Sequence, residues 1–135
     1  MSFELIVGIL VGLVIIIIVG LLTHKKRPRR VKTNQYVSQW KEIQKLCPDK
    51  ASWAQAITEA DDMLDDVLKK KRLKGGSMGE RLVEAQKLLT DNDSVWYAHK
   101  LRKKIDENPD LKLKKNDVKD ALVGIRQALK DLGAL

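Results

Sequence analysis

Residues 5–22 form an unbroken run of eighteen residues that contains only Leu, Ile, Val and Gly. As an α-helix this run is about 27 Å long, close to the ~30 Å hydrocarbon core of a bilayer. Fifteen of the eighteen residues are Leu, Ile or Val, so inserting the helix into a membrane is favourable by about 5 kcal/mol or more. The sequence therefore predicts a transmembrane anchor over residues 1–23.

A basic cluster follows the apolar run immediately. Residues 24–34 carry six Lys and Arg and no acidic residue, and we treat them as a juxtamembrane linker. The members of the cluster that can face lipid head groups are Lys25, Lys26, Arg27, Arg29 and Arg30. By the positive-inside rule, the N-terminus faces outward and the remainder of the chain lies in the cytoplasm. A cleavable signal peptide has a shorter apolar core and a small-residue cleavage site, so we expect a retained single-pass anchor in the cell membrane.

Two glycines inside the run, Gly8 and Gly12, are four residues apart. This spacing lets two membrane helices approach closely, so one interpretation is a homodimer that forms through this face of the helix. The alternative is that the spacing has no role, because glycine is common in membrane helices.

Residues 35–135 are long enough for one small domain with a single core. They hold 20 basic and 17 acidic residues, so their charge is only weak support for nucleic-acid binding. The single cysteine, Cys47, excludes an intrachain disulfide and suits a reducing compartment. Since His24 and His99 are the only histidines, we expect no zinc site, no other metal site and no cofactor.

The domain shows no pattern typical of strands, whereas apolar residues recur at helical spacing throughout. Pro48 ends the first stripe, Gly75 and Gly76 break the chain, and Ser77 begins a capping-box pattern. The fold class predicted is all-α: the anchor plus a cytoplasmic bundle of four to five helices. The apolar stripes are Tyr36, Trp40, Ile43 and Cys47; Trp53, Ile57, Ala60, Leu64, Val67 and Leu68; Met78, Leu82, Ala85 and Leu89; Val95, Ala98, Leu101 and Ile105; and Val118, Ala121, Leu122, Ile125, Leu129 and Leu132.

Two segments, residues 78–85 and 96–105, resemble the HEPN superfamily of compact helical bundles, many of which are RNases or RNA-binding domains and often dimers. The family signature is an Arg, usually followed by Asn, with a His four to six positions on. Arg102 matches the Arg, Lys103 replaces the Asn, and no His follows His99. The resemblance implies the fold and a possible phosphate or RNA contact through Arg102, Lys103 and His99, without a catalytic residue.

For several residues the sequence leaves two interpretations. His99 is three residues before Arg102, so the two share one helix face; they form either a rearranged functional pair or a core-edge His bonded to a neighbour. The tryptophans Trp40, Trp53 and Trp96 either stack on bases or pack in the core. The acidic residues Asp61, Asp62, Asp65 and Asp66 suggest a cation site or, as we favour, a solvated face of the helix.

The function predicted is that of a membrane-anchored, non-catalytic binding or scaffold module of HEPN-like ancestry, and the sequence identifies no protein partner for it. The alternative is a membrane-tethered RNase or RNA-binding protein with an altered site. A structural factor without any nucleic-acid role is a third interpretation. An electropositive groove around Arg102 would favour the RNase, whereas an exposed apolar groove would favour the binding module.

Overall fold

The structure is a computed structural model that describes residues 3–23 and 33–135. Its regular elements are all helical, as predicted. They are α1 (Phe3–Thr23), α2 (Thr33–Leu46), a 3₁₀ turn (Lys50–Ser52), α3 (Trp53–Lys70), α4 (Met78–Glu84), α5 (Asn92–Glu107) and α6 (Lys115–Asp131).

Helix α1 is long and apolar enough to cross a membrane. Its 21 residues give a length of about 31 Å, and its apolar side chains are exposed rather than packed in a core. The basic cluster predicted to fix its orientation, from Lys25 to Arg30, lies outside the described residues.

Local side-chain hydrogen bonds set the starts of α4 and α5. Ser77 caps α4 by accepting a hydrogen bond from the Glu80 N–H at 3.2 Å, and Asp91 caps α5 by accepting one from the Ser94 N–H at 3.1 Å. These caps satisfy N–H groups that the first turn of a helix leaves without partners. At the other end of the domain, Gly133 adopts a left-handed φ of 79° after α6, which closes that helix as predicted.

Helix α3 is the centre of the domain, because it contacts α2, α4, α5 and α6. The apolar stripes predicted from the sequence supply its core, including Ile57 and Leu64 of α3 and Ile125 of α6, each fully buried. Two residues of the stripes, Cys47 and Trp53, are only partly buried, and so is Trp96, which lies next to a stripe. The first two lie where α2, the start of α3 and α6 leave a groove.

Candidate functional site

Three residues of α3 and α5 form a buried polar network. Asp61 is 2% exposed, its Oδ2 lies 3.2 Å from His99 Nδ1, and the same oxygen lies 3.4 Å from Arg102 Nη1. His99 and Arg102 thus share one helix face, as predicted from their spacing. Of the two interpretations of His99, the structure has the His at the core edge, bonded to a neighbour. Its Nε2 is buried without a partner among the described residues.

The Arg102 guanidinium is bonded to further acids. Its Nη1 donates to Asp62 Oδ1 at 2.6 Å, and its Nε donates to Asp106 Oδ2 at 2.8 Å. Burial by itself would lower the pKa of Arg102, but the bonds to Asp62 and Asp106 raise it above the usual range, so the group stays charged. Because carboxylates surround the cation, they repel an approaching phosphate and weaken Arg102 as an anion site.

The expectation that the acids of α3 form a solvated face is wrong for two of the four. Asp61 is buried, and the side chain of Asp65 is only 19% exposed. The reason is that α5 and α4 present basic side chains to this face of α3, so its carboxylates are paired inside the domain. Asp62 and Asp66 remain exposed as expected, and Asp66 accepts a 2.6 Å hydrogen bond from the Tyr36 hydroxyl.

Arg81 is an important residue that the sequence interpretation missed. Its Nε and Nη2 donate to the two oxygens of Asp65 at 2.7 and 3.0 Å, and its Nη1 donates to the Gly75 carbonyl at 2.9 Å. Arg81 is 9% exposed. The burial of Arg81 could have been predicted from the helical spacing, because Arg81 lies three residues after Met78 and therefore on the buried face of α4.

Asp61, His99 and Arg102 line a small polar cleft among α3, α4 and α5, with a volume of about 260 Å³. It is lined by Asp61, Asp62, Asp65, Met78, His99, Arg102, Lys103 and Asp106. Four carboxylates face two cations and one His, so the cleft is acidic in balance. Lys103 is exposed. In the described part of the chain, no group of three or more His, Cys, Asp or Glu side chains is arranged to hold a metal ion.

A second cavity, which we name the apolar groove, has different chemistry. Its volume is about 310 Å³, and its walls are almost entirely apolar. It is formed by α2, the start of α3 and α6, and it is lined by Trp40, Ile43, Gln44, Cys47, Trp53, Lys115, Val118, Lys119, Leu122, Val123 and Arg126. This volume falls at the lower end of the range for small-molecule sites, ~300–1,000 Å³.

The walls of the apolar groove are fixed by local contacts. The Trp53 indole N–H donates to the Cys47 carbonyl at 2.7 Å, which ties the start of α3 to the end of α2. Burial raises the pKa of the Cys47 thiol, which favours the neutral thiol over the reactive thiolate. The Trp40 indole N–H is buried without an acceptor among the described residues, which is unusual for a native tryptophan.

The rim of the apolar groove is cationic. Lys115, Lys119 and Arg126 are exposed residues of α6, and their side chains form no ion pair or hydrogen bond within the described ranges. No Asp or Glu lines the groove. The two cavities therefore differ in character. The polar cleft is lined by charged side chains that form ion pairs, whereas the apolar groove has apolar walls and is bordered by basic side chains without ion-pair partners among the described residues.

No protein-family model matches this chain, and neither a curated protein nor a solved structure is significantly similar to it.

Proposed function

We propose that this chain is a single-pass membrane protein whose helical domain, on the cytoplasmic side, is a non-catalytic binding module that uses the apolar groove. The observation that carries the proposal is the pairing of an open, almost entirely apolar cavity with three unpaired cations. Exposed apolar surface costs free energy in water and is typical of interaction sites on otherwise polar domains.

The anchor and its orientation belong to the same proposal. The length and apolar composition of α1 support a membrane span, and the basic cluster from Lys25 to Arg30, known from the sequence alone, supports a cytoplasmic domain. Trypsin added outside intact cells should spare the domain, whereas trypsin added to inverted membrane vesicles should digest it at its many Lys and Arg residues. Digestion in intact cells would refute the orientation.

The binding role is tested by photo-crosslinking in living cells. A photoreactive residue at position 123 lies on the apolar groove, and one at position 83 is a matched control. Both positions are valines that are 58% exposed, and Val83 does not line the groove. We expect adducts from position 123 and none from position 83. Equal adducts from both positions, or none from position 123, would contradict the proposal.

The second candidate is an RNA-binding or RNase domain of HEPN-like ancestry. The resembling segments form the consecutive helices α4 and α5, and exposed Lys103 lies beside Arg102. The carboxylates around Arg102 argue against phosphate binding there, and no His follows His99 to transfer a proton. Metal-independent cleavage of single-stranded RNA by the full chain in nanodiscs, lost in Arg102→Ala, would establish this candidate and overturn the non-catalytic module.

A further inference from the structure

We infer that the apolar groove binds a single-chain anionic amphiphile, such as a long-chain carboxylate, with its hydrocarbon chain in the cavity and its head group at the cationic rim. This inference rests on the proposed binding function and names the chemical class of its ligand.

The walls favour a hydrocarbon chain over an extended peptide. Gln44, an exposed residue, is the only lining residue that has a side-chain amide. A peptide strand bound there would leave backbone N–H and C=O groups without hydrogen-bond partners, which is unfavourable. A hydrocarbon chain has no such groups, and each methylene that it buries in the groove favours binding.

The rim selects the charge of the ligand. Lys115, Lys119 and Arg126 follow one face of α6 at spacings of four and seven residues, so they border the groove along about 16 Å of helix. Since no acid lines the groove, these cations repel one another. A carboxylate or phosphate head group beside Lys119 would relieve this repulsion and form charge-assisted hydrogen bonds.

The anchor brings the groove close to a source of amphiphiles. Nine residues separate the end of α1 at Thr23 from the start of α2 at Thr33, and this linkage spans at most about 36 Å in any conformation. The wall residue Trp40 lies only seven residues into α2. A domain tethered at this distance meets amphiphiles that partition into the membrane at a high local concentration.

Tryptophan quenching measures the binding directly. The full chain carrying Trp96→Phe is placed in nanodiscs of zwitterionic lipid, so that the remaining tryptophans, Trp40 and Trp53, both line the groove. Trp96 instead lies beside His99 and Gly79. The probe is dodecanoate with a bromine on its last carbon, which quenches tryptophan on contact. We expect saturable quenching, with affinity at least tenfold weaker for the matched brominated alcohol and trimethylammonium compounds.

Paired variants locate the site. Val123→Asp places a charge in the groove and should abolish saturable quenching, whereas its control Val83→Asp should leave the affinity unchanged. Lys119→Glu should weaken binding of the carboxylate at least tenfold, while Lys100→Glu on the exposed side of α5 should not. Equal quenching of the Val123→Asp and parent proteins would overturn the inference, and so would equal binding of the cationic probe.

The remaining outcomes separate this inference from the binding function on which it rests. Quenching by brominated bilayer lipids without added carboxylate would refute the free single-chain ligand. Protein adducts from position 123, or crosslinks to a second copy, together with no carboxylate binding, would refute the amphiphile and keep the binding module. Failure of both the crosslinking and the quenching would refute both proposals.

Discussion

Gly124→Val should destabilise the helical domain by about 3 kcal/mol or more, the upper part of the range for overpacked cores. Gly124 is buried where α6 crosses the first turn of α5. A Cβ atom at this position would lie 2.8 Å from Ser94 Cβ and 2.9 Å from the Ser94 carbonyl oxygen. These distances are shorter than real contacts, and the second one involves backbone, so the two helices must move apart to admit a side chain.

Ser94 cannot easily give way. Its N–H and hydroxyl donate to the two oxygens of Asp91 at 3.1 and 2.6 Å, which fixes the first turn of α5. Alanine favours a helix over glycine by about 1 kcal/mol, so Gly124→Ala should cost less than Gly124→Val. The matched control is Gly79→Ala, whose Cβ would make an ordinary 3.7 Å contact with Trp96 and which should be neutral or stabilising.

Denaturant unfolding of the full chain in micelles checks this prediction, with tryptophan fluorescence as the signal, because Trp40, Trp53 and Trp96 all lie in the domain. A loss of 3 kcal/mol in a domain of this size corresponds to a fall in Tm on the order of 10–20 °C. If Gly124→Val and Gly79→Ala had the same unfolding midpoint, the close approach of α5 and α6 would be contradicted.

The sequence predicted most of the helical core because burial on a helix follows a period of 3.6 residues. The stripe predicted for α6, including Leu122 and Ile125, is buried, but it omitted Ala128 and Gly124, which are buried as well. This periodicity does not predict which helices pack against each other. The close approach of α5 and α6 at Gly124 was therefore missed. A glycine inside a segment of good helix-forming residues does, however, indicate that another element packs closely against that position.

Buried charges were harder to predict, because composition alone makes acids of an amphipathic helix look solvated. Asp61 is buried and Asp65 is partly buried only because α5 and α4 bring His99, Arg102 and Arg81 to the same face of α3. This pairing depends on which helices are neighbours. The apolar groove was missed for a related reason: Trp40 and Trp53 were expected in the core, and the sequence does not say that α6 leaves part of their surface uncovered.

Arg81→Ala should be the most destabilising of three substitutions of basic residues near the polar cleft, with a loss of about 3 kcal/mol or more. The change removes both bonds to Asp65 and the bond to the Gly75 carbonyl. Because the side chains of Arg81 and Asp65 are 11% and 19% exposed, the remaining carboxylate is left largely desolvated, with only the exposed Lys69 ammonium, 3.5 Å away, to compensate its charge. Thermal unfolding at neutral pH measures the loss.

The same ion pair predicts a pH dependence. Burial would raise the pKa of the Asp65 carboxyl, but the hydrogen bonds and charge of Arg81, with Lys69, lower the pKa below its ordinary range. A carboxyl with a lowered pKa in the folded state stabilises the domain above its unfolded pKa, and it loses this contribution as the pH falls through the folded value. The free energy of unfolding of the parent protein should therefore decrease as the pH is lowered past about 4. Asp65→Asn should remove part of this pH dependence.

Arg102→Ala should cost about 1–2 kcal/mol, less than Arg81→Ala, because only Asp61 among its carboxylate partners is buried. Lys103→Ala, in the next position and exposed, should change stability by less than about 0.5 kcal/mol. This order would assign Arg102 to the joint between α3 and α5. The opposite result would be an Arg102→Ala variant that has the same unfolding midpoint as the parent but no longer binds single-stranded RNA. In that case the guanidinium is available to a phosphate despite the carboxylates around it, and the RNA-binding candidate is supported.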